Sequence, residues 1–176
     1  GELDQNLTYE INFLAAKKLI DLAIKTKIKR FIYISSQSMY GISNEEIELD
    51  EDKSEKNPVT EYAKTKWETE KYLFSHLDQD MVKVALRPST VFGASPRLRS
   101  DIVFNNLLGC AYTSKKIEIK SDGTPWRPVI HIKDVCAAIK ATLIAPSNLV
   151  NGKAFNLGIE NGNYQIEAGG ARGGRD

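Results

Sequence analysis

Cysteine is scarce: only Cys110 and Cys136 occur in 176 residues, with no CxxC spacing and no histidine cluster beside them. That predicts two buried, reduced thiols and no metal site. No apolar run approaches the roughly 18 residues that a membrane helix needs, and no signal peptide opens the chain. These absences exclude a membrane partner and predict a cytoplasmic protein. The net charge of +1 is too small to attract nucleic acid. No serine sits in a Gly-x-Ser-x-Gly elbow, so a hydrolase triad of Ser36, His131 and Asp134 is disfavoured. Nor does any strand lead into G-x-x-G-x-x-G or G-x-G-x-x-G, the turn whose backbone cradles a pyrophosphate.

What is present alternates between two periodicities. Residues 7–26 place Ile11, Leu14, Ala15, Leu19, Leu22 and Ala23 at helical spacing. FIYIS at 31–35 reads as a buried strand, and the acidic stretch 41–58 as a loop. A second helix is predicted from Thr60, its cap, to about His76. VKVALR at 82–87 is a strand closed by Pro88. Beyond it, the pattern gives a helix over 102–112, a strand over 116–120, a turn at SDGTP, a helix from near Asp134 and a strand at 153–158. Such alternation predicts an α/β fold with a mainly parallel sheet. The last nine residues, AGGARGGRD, hold four glycines and three charges, and predict a disordered or artificial tail over 168–176.

Tyr62 and Lys66 lie four apart on the predicted helix and share a face. A phenol with a pKa near ~10 is a poor base at neutral pH. A lysine ammonium within hydrogen-bonding range favours the phenolate and lowers that pKa by roughly 1–3 units. The pair then makes a general base that removes a hydroxyl proton while hydride leaves the same carbon. Spacing alone is weak, because Tyr112 and Lys116 match it too. Context favours Tyr62: upstream of it a strand ends in Ser35-Ser36, where parallel sheets place their ligands.

These segments, in this order, resemble the extended short-chain dehydrogenase/reductases, the NAD-dependent epimerase/dehydratase group acting on nucleoside-diphosphate sugars. FIYISSQSMYG is similar to the strand with the catalytic serine, NPVTEYAKTK to the catalytic helix, LRPSTVFG to the segment beside the nicotinamide. SDGTPWRPVIHIKDVCAAI is similar to the sugar-nucleotide side, and YEIN (with Asn12) and FNLGIENGNYQI to flanking segments. The resemblance implies the C-terminal part of a Rossmann-like doubly wound sheet with part of the small substrate-binding region. Residues 1–93 would be an incomplete dinucleotide-binding domain, and 94–167 a substrate-binding segment interleaved with the last strands. It implies Ser36, Tyr62 and Lys66 as catalytic residues, and Ser35, Ser36, Tyr62, Lys66, Pro88 and Ser89 as NAD contacts. Thr90, Asn106 and Arg127 would face the sugar nucleotide, Arg127 through its diphosphate; Asn106 capping a helix turn is the structural alternative.

An epimerase is the leading expectation. Dehydratases of the family carry an acid pair after the catalytic threonine, where this chain has Gln37-Ser38. A keto-sugar reductase and a non-catalytic sensor or scaffold on the same fold stay open as alternatives. NADP is left open beside NAD, since the residues that decide between them precede Gly1. With the glycine-rich turn absent, the chain reads as an internal fragment whose strand at 31–35 is an unpaired edge. A homodimer through the helices near 7–26 and 60–76 is the assembly that the resemblance implies.

Overall fold

The computed structural model describes residues 3–42, 48–76, 80–117, 127–159, 163–167 and 170–172, and of Val103, Arg127, residues 163–167 and residues 170–172 the backbone alone. A helical stretch opens it: α1 (Gln5–Tyr9), a π-helical turn (Glu10–Ala15) and α2 (Ala16–Lys25), with right-handed helical backbone through both junctions. Asp4 caps it by accepting from Leu7 N–H at 2.9 Å. Then follow β1 (Arg30–Ile34), a 3₁₀ turn (Gln37–Tyr40), α3 (Glu61–Ser75), β2 (Val82–Pro88) and β3 (Thr90–Phe92). The remainder is α4 (Val103–Ser114), β4 (Arg127–His131), α5 (Ile132–Ile144), α6 (Ser147–Val150), β5 (Lys153–Leu157), β6 (Asn163–Glu167) and β7 (Gly170–Arg172).

Strands β1, β2 and β5 form a parallel sheet in that order, with Ile34 beside Leu86 and Pro88 beside Leu157. Alternation along β1 and β2 serves two cores, as a sheet buried on both faces requires. Phe31, Tyr33 and Met81 pack with Ile20, Ala23 and Leu73 of α2 and α3. Ile32, Val82, Val84 and Leu86 pack with Ile139 of α5 and Val150 of α6. Fully burying each such side chain stabilises by roughly 1.5–3 kcal/mol. This is the α/β, mainly parallel architecture that the alternating pattern predicts.

The second sheet runs β3-β4-β6-β7, parallel between β3 and β4 and antiparallel afterwards. Ser89 alone separates β2 from β3, and its N–H bonds Leu157 O at 2.9 Å, so the chain leaves one sheet there and enters the other.

The two thiols are free but not buried: Cys136 is exposed and Cys110 half-buried. Val135 and Thr142 turn α5 toward the sheet, which leaves Cys136 on the outer face. Helix α5 begins at Ile132, two residues before the predicted start, because His131 caps it by accepting from Lys133 N–H at 3.3 Å. Within the glycine-rich tail, Gly170–Arg172 pairs as β7 with β6, where the sequence predicts no element. Backbone pairing needs no apolar side chain, so composition does not forbid it. Most of the predicted strand over 116–120 and the whole SDGTP turn lie outside the described residues. Among the described residues no helix is long and apolar enough to cross a membrane. Strand β1 is a sheet edge among the described residues, as predicted.

Candidate active site

Ser35 and Ser36 follow β1 directly, and Ser35 N–H extends the ladder to Leu86 O at 2.7 Å. Ser36, in extended conformation, caps the 3₁₀ turn: its Oγ accepts from Ser38 N–H at 3.2 Å. Helix α3 starts at the same end of the sheet because Thr60 Oγ1 accepts from Ala63 N–H at 3.1 Å, with Glu61 in its first turn. That cap sets Tyr62 near enough to Ser36 for the serine hydroxyl to act on the ionisation of the phenol.

Burial raises the Tyr62 pKa above its ordinary value; the neighbouring Ser36 hydroxyl and the field of Arg99 oppose this. The tyrosine is still 40% exposed, on the open side of the helix. Lys66 sits one turn on. Its Nζ donates to Ile34 O at 2.8 Å and stands 5.0 Å from the Tyr33 ring centre and 5.8 Å from that of Tyr62. Burial lowers its pKa. In this arrangement the ammonium gives one of its three N–H donors to the β1 carbonyl, and burial rather than Lys66 sets the direction of the Tyr62 shift.

Ser35 and Ser89 are buried at the ends of adjacent strands, and their hydroxyls find no partner among the described residues. The Ser38 hydroxyl is likewise buried and unpartnered. Unsatisfied buried hydroxyls are uncommon and mark places where a polar ligand gains hydrogen bonds. Pro88 ends β2 between Arg87 and Ser89. A dinucleotide's polar edge therefore fits this end of the sheet, against Ser35, Ser36, Lys66 and Ser89.

The substrate-side candidates scatter. Thr90 opens β3 beside Val129 of β4, the strand that begins at Arg127, while the Arg127 side chain lies outside the described residues. Asn106 lies in α4, where its Nδ2 donates to Ser100 O at 3.1 Å, which ties down the preceding loop. Tyr112 and Lys116 do not share a helix: α4 ends at Ser114, and Lys115 adopts a left-handed conformation. His131 stacks edge-on against Phe92 at 5.2 Å and caps α5, a structural use of a residue that a triad would need.

Sequence reasoning missed the polar cluster beneath the site. Arg87 Nε reaches both oxygens of Glu70, at 3.1 and 3.2 Å, and Nη2 adds a third contact. Its Nη1 donates to Tyr40 Oη and, at 3.0 Å, to Glu51 O. Tyr40 Oη donates to Asn156 Oδ1 at 2.9 Å, and Asn156 Nδ2 to Leu49 O at 2.9 Å. The signal was available: an arginine inside an apolar strand must find a carboxylate, and Glu70 follows Lys66 by one helical turn.

The profile of the NAD dependent epimerase/dehydratase family matches residues 2–158. The Bacillus subtilis protein named uncharacterized UDP-glucose epimerase YtcB is 27% identical over 148 residues, 84% of this chain and 45% of its own. Human dTDP-D-glucose 4,6-dehydratase is 27% identical over 149 residues, covering 84% of this chain and 41% of its own. A solved structure of UDP-glucuronic acid 4-epimerase from Bacillus cereus, with UDP-glucuronic acid and NAD, superposes with a TM-score of 0.74 at 27% identity. It covers 86% of this chain and 46% of that one. The chain thus spans less than half the length of the curated relatives it matches. With the profile running from the first helix through β5, past the Ser36 turn and the Tyr62 helix, the chain belongs to the NAD dependent epimerase/dehydratase family.

Proposed function

We propose that the protein of which this chain is part epimerises a nucleoside-diphosphate sugar with NAD, and that Ser36, Tyr62 and Lys66 carry the proton chemistry. The observation that supports this best is the gathering of Ser36, Tyr62 and Lys66 at the carboxyl end of the parallel sheet, with Lys66 Nζ 5.8 Å from the Tyr62 ring centre and the unpartnered Ser35 and Ser89 hydroxyls beside them. NAD, when bound, supplies a hydride acceptor that can return the hydride to the same carbon. Tyr62 takes the proton of the sugar hydroxyl and Ser36 orients that hydroxyl. Lys66, freed from Ile34 O, moves toward the phenolate and a ribose hydroxyl. Thr90 and Arg127 border the sugar nucleotide from the second sheet, with Asn106 holding the loop between them.

Elimination of water fits less well. Gln37 carries no acid, and its Nε2 is committed to Leu157 O at 3.1 Å. The test is an isomer assay with a panel of UDP- and dTDP-sugars, NAD and the protein or its Tyr62→Phe variant. Removal of the general base lowers turnover by about 10²–10⁴-fold. Full turnover by Tyr62→Phe would remove the reading, and stoichiometric loss of reduced cofactor would make the protein a reductase. A homodimer is part of this proposal. It is supported by the exposed Leu7, Ile11, Leu14 and Leu22 on the first helical stretch, and a monomeric sedimentation coefficient would refute it.

A further inference from the structure

Ser36 and Tyr40 are the two ends of one short turn. Ser36 caps it and Tyr40 closes it, after which Gly41 adopts φ +88° and the chain turns away. Between them Met39 is fully buried and Gln37 is tied to β5, so the turn moves as a unit. Its closing hydroxyl is held from two sides: Tyr40 Oη accepts from Arg87 Nη1 and donates to Asn156 Oδ1 at 2.9 Å. Arg87 is locked in turn to Glu70, on the helix that carries Tyr62. A continuous chain of bonds thus runs from the Ser36 turn through β2 to the Tyr62 helix, on the far side of the Ser36–Tyr62 contact.

We propose that the Tyr40 hydroxyl is a positioning group for the active site: by anchoring the 3₁₀ turn to Arg87 and Asn156, it sets Ser36 against Tyr62, a residue it does not touch. This rests on Tyr62 as the proton acceptor, but it is read out without turnover. A lone stabilising role would lower the melting temperature and leave the Tyr62 hydroxyl alone. A positioning role moves the Tyr62 titration, because the nearby Ser36 hydroxyl works against burial there.

The experiment is a ¹³Cζ NMR titration of tyrosine-labelled protein, with Tyr62→Phe identifying its resonance among the seven tyrosines. Tyr40→Phe is expected to raise the Tyr62 pKa by about 0.5–1 unit, the size of one lost hydrogen bond. Ser36→Ala should raise it equally, and the double variant no further. An unchanged Tyr62 in folded Tyr40→Phe overturns the proposal, as does a shift that adds in full to that of Ser36→Ala. If Tyr40→Phe does not fold, Asn156→Thr decides, since it removes the carboxamide that the hydroxyl donates to. A raised Tyr62 pKa in that variant supports the proposal, and an unmoved one, or loss of the fold there too, overturns it. Should the shift appear in a protein that turns over no sugar nucleotide, positioning stands and the functional reading falls.

Discussion

Arg87 and Glu70 form an ion pair sealed between β2 and α3, with 4% and 1% of their side-chain surfaces accessible. Each costs desolvation energy that the other's charge offsets, so the pair fixes how the helix bearing Tyr62 lies on the sheet. Hydrogen bonding to Glu70 raises the Arg87 pKa against the opposing effect of burial, so the guanidinium stays charged.

Breaking that pair alone should be severe. Arg87→Met or Glu70→Gln is expected to lower unfolding free energy by about 3–5 kcal/mol, because the remaining group is buried without its partner. Urea denaturation measures this. Paired replacement by apolar residues should recover part of the loss; a single variant as stable as the parent would show that the pair is not sealed in solution.

Alkaline pH should destabilise the fold through its buried tyrosines. Burial holds the hydroxyls of Tyr33, Tyr40 and Tyr62 above their ordinary pKa of 10.0. Raised folded values mean that the stability is complete below pH 10 and is lost as pH rises through and past it, because the unfolded chain ionises first. The slope approaches about 1.4 kcal/mol per pH unit for a well-buried tyrosine and is smaller for the more exposed Tyr62. Lys66, whose pKa burial lowers, acts in the opposite sense. Urea midpoints between about pH 9 and 11 should fall, and Tyr33→Phe should flatten the fall. No flattening would place the source elsewhere.

The open edge of β1 has a signature in hydrogen exchange. Ser35 N–H bonds Leu86 O at 2.7 Å and Val82 N–H bonds Lys29 O at 2.9 Å, so alternation turns the Phe31 and Tyr33 amides toward β2. The amides of Ile32 and Ile34 point to the edge and should exchange far faster. Equal protection would mean that another strand covers the edge in solution, while fast exchange goes with concentration-dependent aggregation of the isolated chain.

Gly93 is held at φ +112°, and a Cβ there would stand 2.6 Å from Nε2 of His131. Gly93→Ala should cost more than about 1 kcal/mol in thermal melts. In a His131→Ala background the larger part of the steric cost should go, while the backbone part and the 3.1 Å contact with Ile132 Cγ2 remain. An undiminished cost there would mean that His131 already yields.

The sequence made the central layer legible for a physical reason. FIYIS and VKVALR are apolar runs too short for helices, the 7–26 segment repeats at helical spacing, and the Thr60 cap opens the 60–76 helix, so period, length and cap identify each element. The Ser36 turn and the Tyr62–Lys66 face were legible too, because they are set within a few residues by a strand end and a helix cap. Poorly legible were β3, β6 and β7, which are three to five residues long and owe their form to backbone pairing with distant segments.

By itself the sequence determined the order of the first-sheet strands and the helices between them, the family, and which residue types stand at the end of the sheet. Tertiary structure alone decided the electrostatics of the site. Lys66 bonds Ile34 O rather than the phenol, Tyr62 is pushed up rather than down, and Arg87 reaches Glu70, Tyr40 and Glu51 together. Spacing along a chain says which side chains share a face. It does not say which carbonyl a charged group will reach first, or how much water it keeps, and those two quantities set a pKa.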